Sequence, residues 1–392
     1  LVPEVIQFSK DIGMKMMRYP GGCITHGFDW KEAVGPVKDR PNYSFGLDEF
    51  LLYCRTVGAE PLISVSDYTG TPQDAADLVE YLNAPADARH PWAQKRARWG
   101  HPQPYHVRFF EMGNESDHGN HARTGNAPVA PKKIYTAQEY ADWVLTCAKL
   151  MRAVDPTIQI GALMGTGTPV NDPWNYTVLS AVQGDVDFIV AHMYTIGCGV
   201  DDALRIPGDQ LMQGCMASVD QAEVTIHQYN QLIRQCTGRN IPLAITEYNA
   251  GFVQEKPVPY RFTYGAALCN ADLVRVLLQP QSNVLMANYW HFINGYWGMV
   301  QGPVHVATEP HLWKHMPAYY LYRLWGQHFG TQLVFADVKS SPTIELSQRV
   351  LRIYPTKGTR IIPPSIQGPE NLLANIKCAT PAVPGGQHHG ET

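Results

Sequence analysis

The sequence predicts an α/β protein: a (β/α)8 TIM barrel whose first strand is missing from the N-terminus, followed by a small C-terminal β-rich appendage. Two observations carry this prediction. Seven short, continuous apolar runs recur along most of the chain with amphipathic helical segments between them, the pattern of parallel strands buried on both faces. Polar residues also stand at the ends of many different runs, as they do where several barrel strands build one site. A doubly wound sheet would gather its ligand at one switch point, often beside a Gly-rich phosphate turn, and no GxGxxG opens a helix here.

The elements follow in order. "LVPEVIQFSKDIG" places Val2, Val5, Ile6 and Ile12 at approximately helical spacing, and its acidic and polar residues interrupt any signal-peptide pattern. Strands are expected at "MKMMRYP" from Met14, "EPLISVS" from Glu60, "HVRFFEM" from His106, "IQIGALM" from Ile158, "DFIVAHMY" from Asp187, "PLAITEY" from Pro242 and "VLMANYWHF" from Val284. "LDEFLLYCRTVG" puts Leu47, Phe50, Leu51 and Cys54 on one helical face and stops at a glycine. "TPQDAADLVEYLN" opens on a Thr cap with proline in the first turn. "TAQEYADWVLTCAKLMRAVDP" opens on a capping box, Thr136 with Glu139. "VDQAEVTIHQYNQLIRQCTG" and "PAYYLYRLWGQHFG" are two further helices. Seven strands are one short of a closed eight, so the first lies upstream of Leu1, or another segment completes the barrel. After about Gly330 the pattern changes to short β segments and then a Pro/Gly/His-rich tail, which divides the chain into a barrel over 1–330 and an appendage over 331–392.

Composition excludes several functions. The chain has 392 residues, 45% hydrophobic and 17% charged, with a net charge of -4 and no run of like charges; nucleic acid and anionic membrane surfaces are not expected partners. No apolar stretch approaches the roughly 18 residues of a membrane span. Eight cysteines are scattered without CxxC pairs, against a zinc ribbon or redox motif; Cys198 and Cys215 flank a loop-like stretch and form either a disulfide or two free thiols. The compartment stays open. His26, His118 and His121 lie near strand ends, but HGNH is poor metal-ligand spacing, so neither metal nor cofactor is expected. Sequons at Asn42, Asn114 and Asn175 are weak signals, since Asn114 falls in the expected site.

The chemistry centres on "FFEMGNE" and "LAITEYN". Glu115 and Glu247 each end an apolar strand, with Asn114 beside one and Asn249 two residues after the other. Two carboxylates from different strands in a polar bowl suit glycoside hydrolysis: one protonates the departing oxygen while the other attacks the anomeric carbon or activates water. Ion pairs at the barrel rim are the plainer alternative for a single Glu, but two in matching Asn/Tyr contexts favour chemistry. A glycine at 113 lets the backbone pass close to the site.

"MRYPGGCITHGFDWKEAVGP", "LDEFLLYCRTVGAEPLISV", "WGHPQPYHVRFFEMGNE" and "LAITEYN" together resemble glycoside hydrolase family 51, the α-L-arabinofuranosidases, over roughly Val2 to Asn294. The resemblance implies a retaining enzyme on a (β/α)8 barrel with an appended β-sandwich, Glu115 as general acid/base and Glu247 as nucleophile. Glu115 then needs a raised pKa, with negative Glu247 as the cause. His192 and Tyr194 match the family's His-x-Tyr, the Tyr bonding the nucleophile. Arg18 orients a carboxylate or forms a core ion pair. Cys23 stands where many members carry Asn, His291 where the eighth strand often has Gln, and Tyr248 where Trp commonly follows the nucleophile; the first strand, absent here, normally supplies another sugar-binding Glu. Trp290, Trp297, Trp30 and Tyr68 are candidate stacking faces.

The expected function is therefore an exo-acting α-L-arabinofuranosidase on arabinose side chains of plant polysaccharides or oligosaccharides. A retaining β-glycanase or β-glycosidase of the same clan, and a non-catalytic carbohydrate-binding subunit with a vestigial site, are the rivals. The partner is a carbohydrate; a homo-oligomer is left open.

Overall fold

A computed structural model gives the architecture, and it describes residues 1–117, 135–165, 170–194, 208–250, 259–295, 297–302 and 312–334. Cys198, on which the choice between a disulfide and free thiols turns, His118, His121 and nearly all of the appendage lie outside the described residues.

Seven parallel strands form one sheet in chain order: β1 (Met16–Tyr19), β2 (Glu60–Val65), β3 (Phe109–Met112), β4 (Gln159–Leu163), β5 (Phe188–Tyr194), β6 (Leu243–Asn249) and β7 (Val284–Tyr289). Each of the seven expected runs supplies one strand. The sheet curls into a nearly closed (β/α)8-type barrel. Its outer strands β1 and β7 flank a cavity of about 460 Å3 lined from both sides by Met16, Met17, Met286 and Tyr289. β3, β5 and β6 are buried along their whole length, which is why they read as continuous apolar runs rather than alternating ones.

Helices α1 (Pro3–Asp11), α2 (Leu47–Val57), α3 (Pro72–Asn83), α4 (Pro91–Arg98), α5 (Ala137–Val154), α6 (Pro173–Val182), α7 (Gly208–Thr237), α8 (Tyr264–Leu277) and α9 (Pro317–His328) surround it. Their boundaries follow local chemistry. Gly58 ends α2 in the left-handed conformation at φ 77°, and reciprocal capping boxes start α3 (Thr71 with Asp74) and α5 (Thr136 with Glu139). Sequence patterning missed α4, α6 and α8. Strands β8 (Val300–Gln301) and β9 (Lys314–His315) form a small antiparallel pair. Among the described residues, no helix is long and apolar enough to cross a membrane.

The strands pack closely enough to demand a glycine in β4. A Cβ on Gly161 would stand 1.9 Å from the Phe188 ring of β5. Gly161→Ala is expected to destabilise the fold by about 1–3 kcal/mol, the usual range for overpacking a core, read as a lower urea midpoint. An unchanged midpoint would mean that the Phe188 ring can vacate the space at no cost.

Candidate active site

The inner ends of β1, β2, β3, β5 and β6 place one connected polar cluster in an otherwise apolar barrel. Arg18 is its hub. The guanidinium donates from Nε to Glu111, from Nη1 to Glu247 Oε1 at 2.7 Å and from Nη2 to Asn114 Oδ1 at 2.8 Å. Burial costs that charge, but Glu111 and Glu247 outweigh the cost and hold its pKa above the ordinary arginine value. The two readings of Arg18, carboxylate orientation and core ion pair, are both realised in one side chain.

Glu247 has a donor on each oxygen: Arg18 on Oε1 and the Tyr194 hydroxyl on Oε2 at 2.5 Å. Fixed donors of this kind suit a carboxylate. Glu115 sits across from it, just beyond β3, with φ 46°, a left-handed conformation rare for a side-chain-bearing residue. Gly113 prepares that turn at φ 86°, where a Cβ would meet Ser116 Oγ at 2.6 Å and Asp67 Oδ2 at 3.0 Å. The glycine at 113 is therefore required by the close approach of the chain as well as by its backbone angle.

His192 lies between the two glutamates. Its Nδ1 is 2.9 Å from Glu115 Oε1 and 3.5 Å from Glu247 Oε2, while Nε2 is 3.1 Å from Thr246 Oγ1. Burial alone would lower its pKa, but Glu247 and Glu115 overcome it and hold the imidazole above its ordinary value. One oxygen of each glutamate and one nitrogen of His192 all lie within 4.8 Å of one another. This convergence is close, but the ring and both carboxylates already have hydrogen-bond partners, as in a site that moves protons.

A β-bulge builds this arrangement. The register pairs Ala191 with Ile245 but His192 with Glu247, so Thr246 is the extra residue of β6. Successive strand side chains ordinarily point to opposite faces; the bulge turns both Thr246 and Glu247 inward. His192 and Tyr194, two apart on β5, share the inner face by ordinary alternation.

The remaining expected residues divide. Cys23, on a 3-10 turn over Gly22–Gly27, feels both Glu115 and Glu247; burial first and the two carboxylates second hold its thiol pKa well up, so it is a neutral group at the site. His291 is pushed down to about 3 by burial and then by Arg18 and Arg261, making it a neutral imidazole. Trp290 packs against Gly22, where a Cβ would come within 2.3 Å of its ring, and its carbonyl accepts from Asn249 Nδ2 at 2.5 Å. Asn114 keeps its amide nitrogen buried and without a partner among the described residues.

The other residues singled out are placed as follows. Trp30 is 6% exposed, donates to the Asp74 carbonyl and packs on Trp92 and Tyr81, so it is a packing residue away from the bowl. Asn249 is fully buried and bonds Trp290, Ala250 and Asn270, tying the strand ends together. His26 is tied to Asp67 at 2.9 Å and stacks on Tyr68. Trp297 lies between Tyr194 and the Arg261 guanidinium, which sits 3.7 Å over its ring. Sequence reasoning gave no role to Glu111, Ser64 or Thr246, although a carboxylate inside "FFEM" is an anomaly that marks the first of them.

The chain matches known proteins over the barrel. Residues 8–196 match the family model described as "Alpha-L-arabinofuranosidase 1 domain". Intracellular exo-alpha-(1->5)-L-arabinofuranosidases of Streptomyces lividans and Bacillus subtilis (strain 168) are each 31% identical over 206 and 204 residues, or 49% of this chain. The chain spans only 29% and 38% of their lengths. Among solved structures, the α-L-arabinofuranosidase of Thermotoga maritima in its arabinose complex superposes with TM-score 0.67 at 27% identity, over 83% of this chain and 64% of that one. The GH51 α-L-arabinofuranosidase of Thermotoga petrophila RKU-1 gives 0.63 at 26%, over 82% and 63%. By sequence over residues 8–196 and by fold over the barrel, the chain is similar to the α-L-arabinofuranosidases of glycoside hydrolase family 51.

Proposed function

We propose that this chain is a retaining glycoside hydrolase, an exo-acting α-L-arabinofuranosidase that releases arabinose from side chains of plant polysaccharides or from oligosaccharides. The observation that carries the proposal is the meeting of Glu115 and Glu247, from different strand ends, with one oxygen of each within 4.8 Å. Paired carboxyls stand about 5–5.5 Å apart in retaining enzymes and about 6.5–9.5 Å apart in inverting ones, which must fit a water between them. Here one ring nitrogen stands 2.9 Å from Glu115 Oε1 and 3.5 Å from Glu247 Oε2. The arabinofuranosidase names of the relatives supply the sugar.

The residues take these roles in the proposal. Glu247, held by Arg18 and Tyr194, attacks the anomeric carbon from one side while Glu115 gives its proton to the departing glycosidic oxygen. Water then enters from the Glu115 side; Glu115 takes its proton as the new C–O bond forms and the bond to Glu247 breaks. Asn114, with its free amide hydrogens, bonds a sugar hydroxyl. Cys23 and His291, neutral and small, shape the pocket beside Trp290.

Hydrolysis of 4-nitrophenyl α-L-arabinofuranoside followed by 1H NMR tests this reading. The first-formed arabinose is expected to keep the α configuration before mutarotation. An inverted first product would refute the double displacement, and turnover of another aryl glycoside with none of this one would refute the substrate.

A further inference from the structure

Behind the two glutamates lies a second layer of hydrogen bonds that the proposed reaction does not use directly. Glu111 is fully buried. One of its oxygens, Oε2, accepts from Arg18 Nε and from Ser64 Oγ at 2.9 Å, and the other, Oε1, accepts from Thr246 Oγ1 at 2.7 Å. Paired with a guanidinium, Glu111 can only accept. The single hydroxyl hydrogen of Thr246 is therefore spent on Glu111, which leaves a lone pair towards His192 Nε2, 3.1 Å away. That nitrogen must carry a hydrogen. One proton then remains for the 2.9 Å contact between His192 Nδ1 and Glu115 Oε1, on the carboxyl with a neutral ring or on the ring with a carboxylate.

We infer that Glu111, acting through the bulged Thr246, locks His192 in the Nε2–H tautomer and so makes Glu115 and His192 hold one shared proton, the proton that Glu115 delivers to the leaving oxygen. Glu111 and Thr246 are positioning residues, since neither touches the reacting atoms. This inference rests on the glycosidase reading for its kinetic consequence alone; the tautomer follows from the hydrogen bonds.

The consequence is a pH dependence with a definite sign. Removing the shared proton from the locked pair leaves the Nδ1 lone pair facing the Glu115 carboxylate, a repulsion that the lock does not let the ring relieve. An unlocked ring could instead move its remaining hydrogen to Nδ1 and donate to the carboxylate. The lock thus holds the working proton to higher pH. The surrounding charges agree in part: Glu247 favours a cationic ring, whereas Arg18 opposes it. The Tyr194 hydroxyl is committed to Glu247, and the Cys23 thiol stays neutral.

The test uses the full chain with 15N-labelled histidine, the His192 signal being assigned by its loss in His192→Phe, together with kcat/KM against pH. Wild-type His192 is expected to carry a hydrogen on Nε2 wherever the shared proton sits, and to be Nε2–H once that proton is lost above the alkaline limb. Thr246→Val is expected to switch it to Nδ1–H and to move the alkaline limb of kcat/KM down by about one pH unit, the scale of one buried hydrogen bond. Thr246→Ser should restore both. Glu111→Gln should act like Thr246→Val. Its carbonyl stays with Arg18 and Ser64, and its amide then donates to Thr246 and reverses that hydroxyl towards Nε2. An Nδ1–H ring in the wild type, a limb unmoved in Thr246→Val, or a Thr246→Ser shift as large as that of valine would each overturn the inference. If the wild type releases no arabinose, the glycosidase reading fails while the 15N result still decides the lock.

Discussion

Glu247→Ala is expected to lose about four orders of magnitude or more in kcat on an aryl α-L-arabinofuranoside, the scale of removing an attacking group from a preorganised set. Among the described residues, none near it can substitute. Arg18 and Tyr194 are donors aimed at the lost carboxylate, His192 is committed to Glu115 and Thr246, and the buried Cys23 thiol is held neutral. Binding of arabinose itself should survive, because the amide of Asn114 and the faces of Trp290 and His291 are untouched. Azide supplies a sharper check. Entering the volume vacated by Glu247, it can displace the leaving group in one step while Glu115 still donates its proton, and the glycosyl azide formed has inverted configuration. Retained activity in Glu247→Ala, or an azide product of retained configuration, would remove Glu247 from the nucleophile role.

Why the two glutamates could be read from the sequence, and their supports could not, is a matter of where local pattern ends. Glu115 and Glu247 break long apolar runs at their C-terminal ends, and strand polarity in a parallel barrel puts those ends in one bowl. His192 and Tyr194 follow from alternation along β5. Thr246 is different. Strict alternation would send it outward, away from Glu247, and only the register shift against Ala191 and His192 turns it inward; a bulge depends on the neighbouring strand and leaves no mark in its own heptapeptide. Glu111 was visible as a charge within "FFEM", but its partners Arg18, Ser64 and Thr246 come from three other strands. Aromatic residues failed for a related reason: Trp30 and Trp290 look alike in sequence, while one packs on Trp92 beneath α3 and the other covers Gly22 at the site. Among the helices, α4 buries only Ala93 and Arg96, so it has no apolar stripe to find, and Arg96 is accommodated by the carbonyls of Tyr81, Ala84 and His101.

Glu115→Ala should divide its effect between the two halves of the reaction in a way that Glu247→Ala cannot. Departure of a poor leaving group needs the proton, so kcat/KM on a natural oligosaccharide is expected to fall by about 10²–10⁴, the range of general acid catalysis. A dinitrophenolate leaves without help, so kcat/KM on that substrate should fall far less. Its kcat still drops, because water attacking the glycosyl-enzyme has lost its base. Azide needs no base and enters from the face that Glu115 guarded, opposite Glu247. It should therefore raise kcat and give a glycosyl azide of retained configuration, the opposite stereochemistry from Glu247→Ala. The same small anion thus reports which face of the sugar each carboxylate occupies. Equal losses on good and poor leaving groups would point instead to a structural role for Glu115. So would a failure of azide to restore turnover, since a collapsed His192–Thr246 network would slow both halves alike.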